Sequence, residues 1–187
     1  MNSNKGSLRV IGGKYRSRRL RVPSRPGLRP TPDRVRETLF NWLGQDLAGL
    51  ACLDLFAGSG ALGFEAASRG AARVVMVEKD RTALAALERS RAALGAAQIE
   101  IVAADAAAFL ARGGERFDVV FLDPPFRQNA VPAILGTLAP RLRPRARVYV
   151  ESDTALTPAP PWTELRRGKA GQVSYQLLQW QGAEGRP

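Results

Sequence analysis

Histidine is absent from this sequence, and cysteine occurs once, at Cys52. Without histidine there is no Ser-His-Asp triad and no imidazole general base. With one cysteine no disulfide closes within the chain and no Cys/His zinc site can be assembled, so no metal is expected. Cys52 lies in an apolar run and reads as a small core residue rather than a nucleophile. No apolar run is long enough to span a bilayer, no basic helix carries a clean apolar face, and no leader pattern opens the chain. A cytoplasmic, monomeric protein without membrane contact is expected. Acidic residues are scarce too: 17 Asp plus Glu stand against 28 Lys plus Arg, a formal net charge of +11 on 187 residues. Apolar residues make up 45% of the chain, enough for one ordinary domain with a buried core. A domain this basic points to a polyanionic partner.

What is present centres on residues 51–63, Ala-Cys-Leu-Asp-Leu-Phe-Ala-Gly-Ser-Gly-Ala-Leu-Gly. An apolar run ending at Asp54, Leu55 and Phe56 predicts a strand. Gly58 and Gly60 predict a tight turn, and Leu62, Phe64 and Ala67 are spaced for the buried face of a helix. Gly58 to Gly63 matches the G-x-G-x-x-G dinucleotide pattern. Asp54 argues against a pyrophosphate on that turn, because its carboxylate repels one and attracts a cationic amino group instead. As a bland alternative, Asp54 is a turn or capping carboxylate. Glu78 closes the next predicted strand, where an acid accepts ribose hydroxyls. A ligand with a ribose, a cationic end and no phosphate describes S-adenosylmethionine.

In chain order, residues 8–22 hold two β-prone runs about Gly12 and Gly13, which predict a hairpin-like arm. Arg9, Lys14, Arg16, Arg18, Arg19 and Arg21 stud it, and Tyr15 is placed to stack a base. The arm reads as a grip on phosphates; the alternative is a solvated basic surface. Residues 23–32 carry four prolines and predict a stiff connector. A helix then begins at Thr31 or Asp33, with Thr31, Arg34, Arg36, Glu37 and Asn41 on its polar face and Val35, Leu39, Phe40 and Leu43 on its apolar one. Trp42 fits either the core or the ligand pocket. Strands are predicted at 74–78, 99–102, 117–122 and 148–150, and helices at 81–95, 106–112 and 129–139. This alternation predicts a parallel sheet with helices on both faces and ligands beyond the strand ends. Asp54, Glu78, Asp105 and Asp123 all fall there. Runs around Leu165 and over 173–180 predict an antiparallel pair closing the sheet.

Asp123-Pro124-Pro125-Phe126 follows the strand over 117–122. Two prolines cannot continue a ladder, so the chain turns out of the sheet. The Asp123 carboxylate and the Pro124 carbonyl are left as acceptors, and Phe126 offers a stacking face. Two acceptors beside an aromatic plate suit a planar exocyclic amine. A hydrogen bond to the charged acceptor contributes roughly 1.5–3 kcal/mol and stacking roughly 1–3 kcal/mol, which offset the few kcal/mol of extracting a base. The bland reading is a proline turn with Asp as a turn residue.

The glycine turn, Glu78 and Asp-Pro-Pro-Phe together resemble the Rossmann-like class I methyltransferases that modify exocyclic amines of nucleic-acid bases. Arg9 to Gly13, Arg29-Pro30-Thr31, Asp33 to Leu43, Leu53 to Gly63, Phe121 to Phe126, Tyr149 to Ser152 and Ala170 to Val173 are similar to the signature of the RsmD family. The likeness runs from about residue 8 to about residue 181, and Arg29–Leu43 is its most specific part. It implies an α/β fold with a mostly parallel seven-stranded sheet, a basic hairpin arm over residues 1–28 and a methyltransferase domain over 29–187. It implies methylation of guanine N2 in 16S rRNA, on the assembled or nearly assembled small subunit. Cofactor contacts are then implied for Asp54, Phe56, Ala57, Gly58, Ser59, Gly60, Leu62, Glu78, Lys79, Asp105 and Ala106. Asp123, Pro124, Pro125 and Phe126 are implied to hold the target base. Arg9, Lys14, Tyr15, Arg16, Arg18, Arg19, Arg34, Arg36 and Asn41 are implied to contact RNA.

Three rivals differ in chemistry or substrate. A DNA adenine-N6 methyltransferase shares the Asp-Pro-Pro-aromatic motif, but no target-recognition domain is evident here. A nicotinamide-dependent dehydrogenase would use Gly58–Gly63 and needs a proton donor other than histidine. A non-catalytic rRNA-binding assembly factor explains the arm but leaves the strand-end carboxylates idle.

Overall fold

The computed structural model describes residues 6–22, 31–124 and 130–182. The elements are β1 (Ser7–Arg9), β2 (Arg19–Arg21), α1 (Asp33–Trp42), β3 (Ala51–Asp54), α2 (Ala61–Ser68), β4 (Arg73–Glu78), α3 (Arg81–Leu94), β5 (Ile99–Ala103), α4 (Ala106–Ala111), β6 (Phe117–Leu122), α5 (Val131–Leu138), β7 (Leu142–Ser152), β8 (Trp162–Ala170) and β9 (Val173–Trp180). Seven strands form one sheet in the order β5-β4-β3-β6-β7-β9-β8. The first five run parallel, and β9 pairs antiparallel with both β7 and β8. Strands alternating with helices enforce this layout, because each parallel return needs a crossover on one face.

The central strands are buried on both faces, so they read as continuous apolar runs whose alternate residues serve different layers. Cys52, Val74, Met76, Val119, Phe121 and Tyr149 face one layer. Val35, Leu39 and Phe40 of α1, Phe64 of α2 and Leu87 of α3 pack there. Leu53, Val75, Val77, Val120, Leu122, Val148 and Val150 face the other, against Phe109 and Leu110 of α4 and Ile134 and Leu138 of α5. Each such side chain contributes about 1.5–3 kcal/mol on burial. The arrangement is Rossmann-like, as expected.

Local chemistry sets the helix ends. Asp80 caps α3 by accepting from the Ala83 N–H at 2.9 Å, and Gly95, at φ 61°, ends it. Trp42 belongs to the core: it packs against the α1 layer with its ring 5.4 Å from that of Tyr175. The longest difference from expectation is β7, which starts at Leu142 rather than at 148. Arg143, Pro144 and Arg145 are exposed and hide the strand from an apolar pattern, but backbone pairing of Leu142 with Phe117 extends it across a bulge. Similarly, the helix predicted over 129–139 is α5, Val131–Leu138, and residue 129 lies outside the described residues.

β1 and β2 pair antiparallel, Leu8 opposite Leu20. The hairpin is packed rather than projecting: Leu8, Val10, Tyr15, Leu20 and Val22 join the core layer of α1 and α2. Glu65 of α2, fully buried, accepts the N–H groups of Ile11 and Gly12, each at 2.8 Å. It also binds Arg36 at 3.3 Å and Arg69 at 2.9 Å. The Tyr15 N–H donates to the Ser68 hydroxyl at 2.8 Å, and the Lys14 N–H to the Ser68 carbonyl at 2.7 Å.

Candidate active site

The functional rim lies over the carboxyl ends of β3, β4, β6 and β7. Connections leave β3 toward β4 and β5 on one side and reach β6 and β7 on the other, so the strand order reverses between β3 and β6, the place where an open α/β sheet takes its ligand. Asp54 and Asp123 flank it. Asp54 ends β3 level with Phe121 of β6, and Asp123 follows β6 directly.

Asp54 is 2% exposed and accepts the Gly63 N–H at 3.0 Å. Burial, reinforced by the negative charge of Glu78, pushes its carboxyl up to about 7, while the Gly63 and Phe56 N–H groups pull the other way. The turn above it is left-handed at Gly58, φ 49°, and at Gly60, φ 80°. A Cβ at Gly60 would run into the Phe64 ring and Leu87. Ala57 and Leu62 are buried beneath the turn, and Phe56, Gly58 and Ser59 are partly exposed on it.

Glu78 ends β4 and ties this turn to the next. One oxygen accepts the Gly58 N–H at 2.9 Å. The other accepts the N–H groups of Lys79 at 2.9 Å and Asp80 at 2.8 Å. The carboxylate is thereby held over the rim with a lone pair of the first oxygen still open to a hydroxyl. Asp105 lies just past β5 and caps α4 by accepting from the Ala107 N–H at 3.0 Å. Lys79 reaches it at 3.2 Å, and that hydrogen bond holds its carboxyl below the usual range. Ala106 is buried behind it.

Asp123 is partly exposed, and the Thr31 hydroxyl lies 3.5 Å from its Oδ2. Burial of the carboxylate, with the charges of Glu151 and Asp54 nearby, raises its pKa well above the ordinary range. Leu122 pairs with Val150, so Asp123 and Glu151 leave neighbouring strands at one level. Pro124 and Glu151 line a cavity of about 460 Å³ with Val131, Pro132, Ser152 and Leu156. Pro125 and Phe126 lie outside the described residues. Cys52 is fully buried, and burial lifts its thiol to about 12, so it supplies no nucleophile.

A sequence model of the family described as conserved hypothetical protein 95 matches residues 8–179. The chain is 45% identical over 183 residues to ribosomal RNA small subunit methyltransferase D of Escherichia coli K12, covering 95% of this chain and 92% of that one. It is 43% identical to the protein of the same name from Haemophilus influenzae, over 94% and 95% of the two chains. The chain belongs to the RsmD family. The solved structure of the Escherichia coli protein yhhF, 44% identical, superposes with a TM-score of 0.87 over 95% of this chain and all of that one.

The rim fits the cofactor of an RsmD-family methyltransferase, S-adenosylmethionine, on its own chemistry. Asp54 is buried without an ion-pair partner among the described residues, a position that a cationic ligand stabilises. Lys79, which follows Glu78, is engaged by Asp105 at 3.2 Å. Glu78 offers an oriented acceptor to a ribose. Asp54, the Gly58–Gly60 turn and Glu78 would hold the cofactor, with Asp105 and Ala106 on the far side.

The residues read as RNA contacts divide in two. Arg9, Lys14, Arg16, Arg18, Arg19, Arg34 and Asn41 are exposed. Arg9 pairs with Asp33 at 3.2 Å, and Arg18 donates to the Ala93 carbonyl at 3.1 Å. Tyr15 and Arg36 depart from expectation. Tyr15 is 4% exposed, its hydroxyl 3.5 Å from Gln98, so its ring packs in the core instead of stacking on a base. Arg36 is fully buried and binds Glu65, Asp33 and the Arg9 carbonyl. Arg36 lies under the docked hairpin, bonded to the Arg9 carbonyl, while Arg34, Glu37 and Asn41 of the predicted polar face stay exposed. Sequence reasoning missed Thr31, Glu65 and Glu151 as working residues. Glu151 carried a signal, since it closes a strand as Asp54 and Glu78 do.

Proposed function

We propose that this protein transfers a methyl group from S-adenosylmethionine to the exocyclic N2 of one guanine in 16S rRNA. Its substrate is the assembled or nearly assembled small ribosomal subunit, and it works as a monomer in the cytoplasm. The observation that carries this reading is the meeting, in one crevice, of a buried unpaired acid suited to a cation and an Asp123–Pro124 acceptor pair suited to an amine. The RsmD relatives' names support rRNA as the polymer. The exposed arginines of the hairpin grip its phosphates.

When bound, S-adenosylmethionine supplies a methyl group on a sulfonium sulfur. Asp123 and the Pro124 carbonyl each accept one N–H of the guanine amine, which directs the nitrogen electron pair along the crevice. No strong base is needed before the nitrogen is methylated. Afterwards the nitrogen is acidic, and Asp123, whose affinity for a proton is already raised, takes one. Positioning of the amine supplies most of the rate. Phe126 stacks on the extracted base.

The test is incubation with tritiated S-adenosylmethionine and small subunits from a strain lacking the enzyme, followed by mapping of the label. Label at a single guanine N2, lost in Asp123→Ala, is the expected result. Absence of label on subunits and on free rRNA overturns the reading.

A further inference from the structure

Glu151 is a buried carboxylate that the steps above leave unused. It stands at the end of β7, 6% exposed, one strand from Asp123 and at the same level. Glu151 lines the cavity of about 460 Å³ that also borders Pro124. That size lies within the range of about 300–1,000 Å³ usual for small-molecule sites. Two hydroxyls orient it. Tyr149 donates to Oε1 at 2.8 Å, and the Thr31 hydroxyl, 3.5 Å from Asp123 Oδ2, has a single proton that either carboxylate can accept. Burial pushes the Glu151 carboxyl above its ordinary range, and these hydroxyls pull the other way. Among the described residues neither Asp123 nor Glu151 has an ion-pair partner. A buried acceptor beside a half-buried one, without a counter-charge, is costly unless donors arrive from outside the chain.

We propose that Glu151 selects guanine by accepting the N1–H of the target base while Asp123 accepts an N–H of the adjoining N2 amine. This rests on the guanine-N2 reading above. On guanine, N1–H and the nearer N2–H are neighbours and point the same way, which matches two carboxylates at one level on adjacent strands. Adenine places a lone pair at N1 beside its amine. That lone pair would face the Glu151 carboxylate, leaving two acceptors opposed in a buried site. Glu151 therefore reads the ring, and Asp123 holds the nitrogen that reacts.

The test uses small subunits reconstituted with 16S rRNA carrying guanine or 2-aminopurine at the methylated position. 2-Aminopurine keeps the N2 amine but has a lone pair in place of N1–H. Wild-type kcat/KM should fall roughly 10- to 100-fold on 2-aminopurine, the effect of one charge-assisted hydrogen bond. Glu151→Gln keeps the volume and presents either an oxygen or an N–H, so its two values should lie within about threefold of each other. Glu151→Ala should lose rate on guanine alone. Cofactor affinity, measured by calorimetry, should match the wild type in both variants. If Glu151→Gln keeps the wild-type preference, or the wild type shows none, the selection role is overturned while N2 methylation stands. If the wild type fails on guanine itself, the guanine-N2 reading falls instead. Should Glu151→Ala not fold, the Glu151→Gln comparison decides alone.

Discussion

Glu65 of α2 and Arg36 of α1 meet in a fully buried ion pair at 3.3 Å. The same carboxylate accepts the Ile11 and Gly12 N–H groups and the Arg69 guanidinium. One acid thus joins the hairpin, α1 and α2, and the basic surface above it is displayed on a fixed support.

Removing that acid leaves Arg36 buried with Asp33 as its one charged partner among the described residues, and orphans two backbone donors. Glu65→Ala should cost about 3–5 kcal/mol of stability. Urea denaturation measures this, and limited proteolysis should show cleavage in the 9–19 segment before the sheet is cut. Wild-type stability in this variant would remove Glu65 as the tie.

Asp123→Asn keeps the shape of the acceptor but loses its charge and its capacity to take a proton. Methyl transfer in single-turnover assays should fall at least about 10- to 100-fold. Cofactor affinity should stay within about twofold, since the change lies outside the Asp54–Glu78 rim. A parallel loss of cofactor binding would move Asp123 from the base side to the cofactor side.

Asp54 gives the protein a pH dependence of defined sign. Its carboxyl titrates at about 7 when folded, against an ordinary value of 3.8. Between those values the folded chain holds a proton that the unfolded chain has released. The Asp54 contribution to stability is therefore fully present below about pH 4 and falls by about 1.4 kcal/mol per pH unit as pH rises toward 7. Asp54→Asn should flatten that segment of a stability–pH profile. A cationic ligand favours the ionised form, so cofactor binding should expel a proton and tighten as pH rises through 7. Calorimetry in two buffers of different ionisation enthalpy detects the proton; equal heats in both would contradict the assignment.

Neutralising Arg16, Arg18 and Arg19 together to Gln should weaken binding to small subunits. The slope of log K against log salt should shrink by about one for each phosphate that is no longer neutralised. Cofactor affinity should not change. An unchanged salt slope would show that RNA passes over another face.

The parallel layers were legible because both faces of β3, β4 and β6 are buried, which leaves continuous apolar runs between helical periods. The rim carboxylates were legible for a related reason: Asp54 and Glu78 stand where apolar runs stop, and a strand end in this topology faces the crevice. β7 was half hidden, because Arg143 to Arg145 are exposed at a bulge, and the pairing of Leu142 with Phe117 that carries the strand across it leaves no trace in side-chain type. Arg36 and Tyr15 misled for another reason. Nothing within ten residues of either reveals that Glu65 and Ser68 lie above them.

The amino-acid sequence alone determined the alternation of strands and helices, the glycine turn and the absence of imidazole and disulfide chemistry. These depend on local periodicity, on φ, and on which side chains exist. Only the tertiary structure decided which charges are buried and what they face. Arg36 lies inside because Glu65 meets it there, and Glu151 joins Asp123 because β6 and β7 end together. The ionisation and orientation of a buried group depend on partners brought from distant parts of the chain, and that proximity exists only once the sheet has formed.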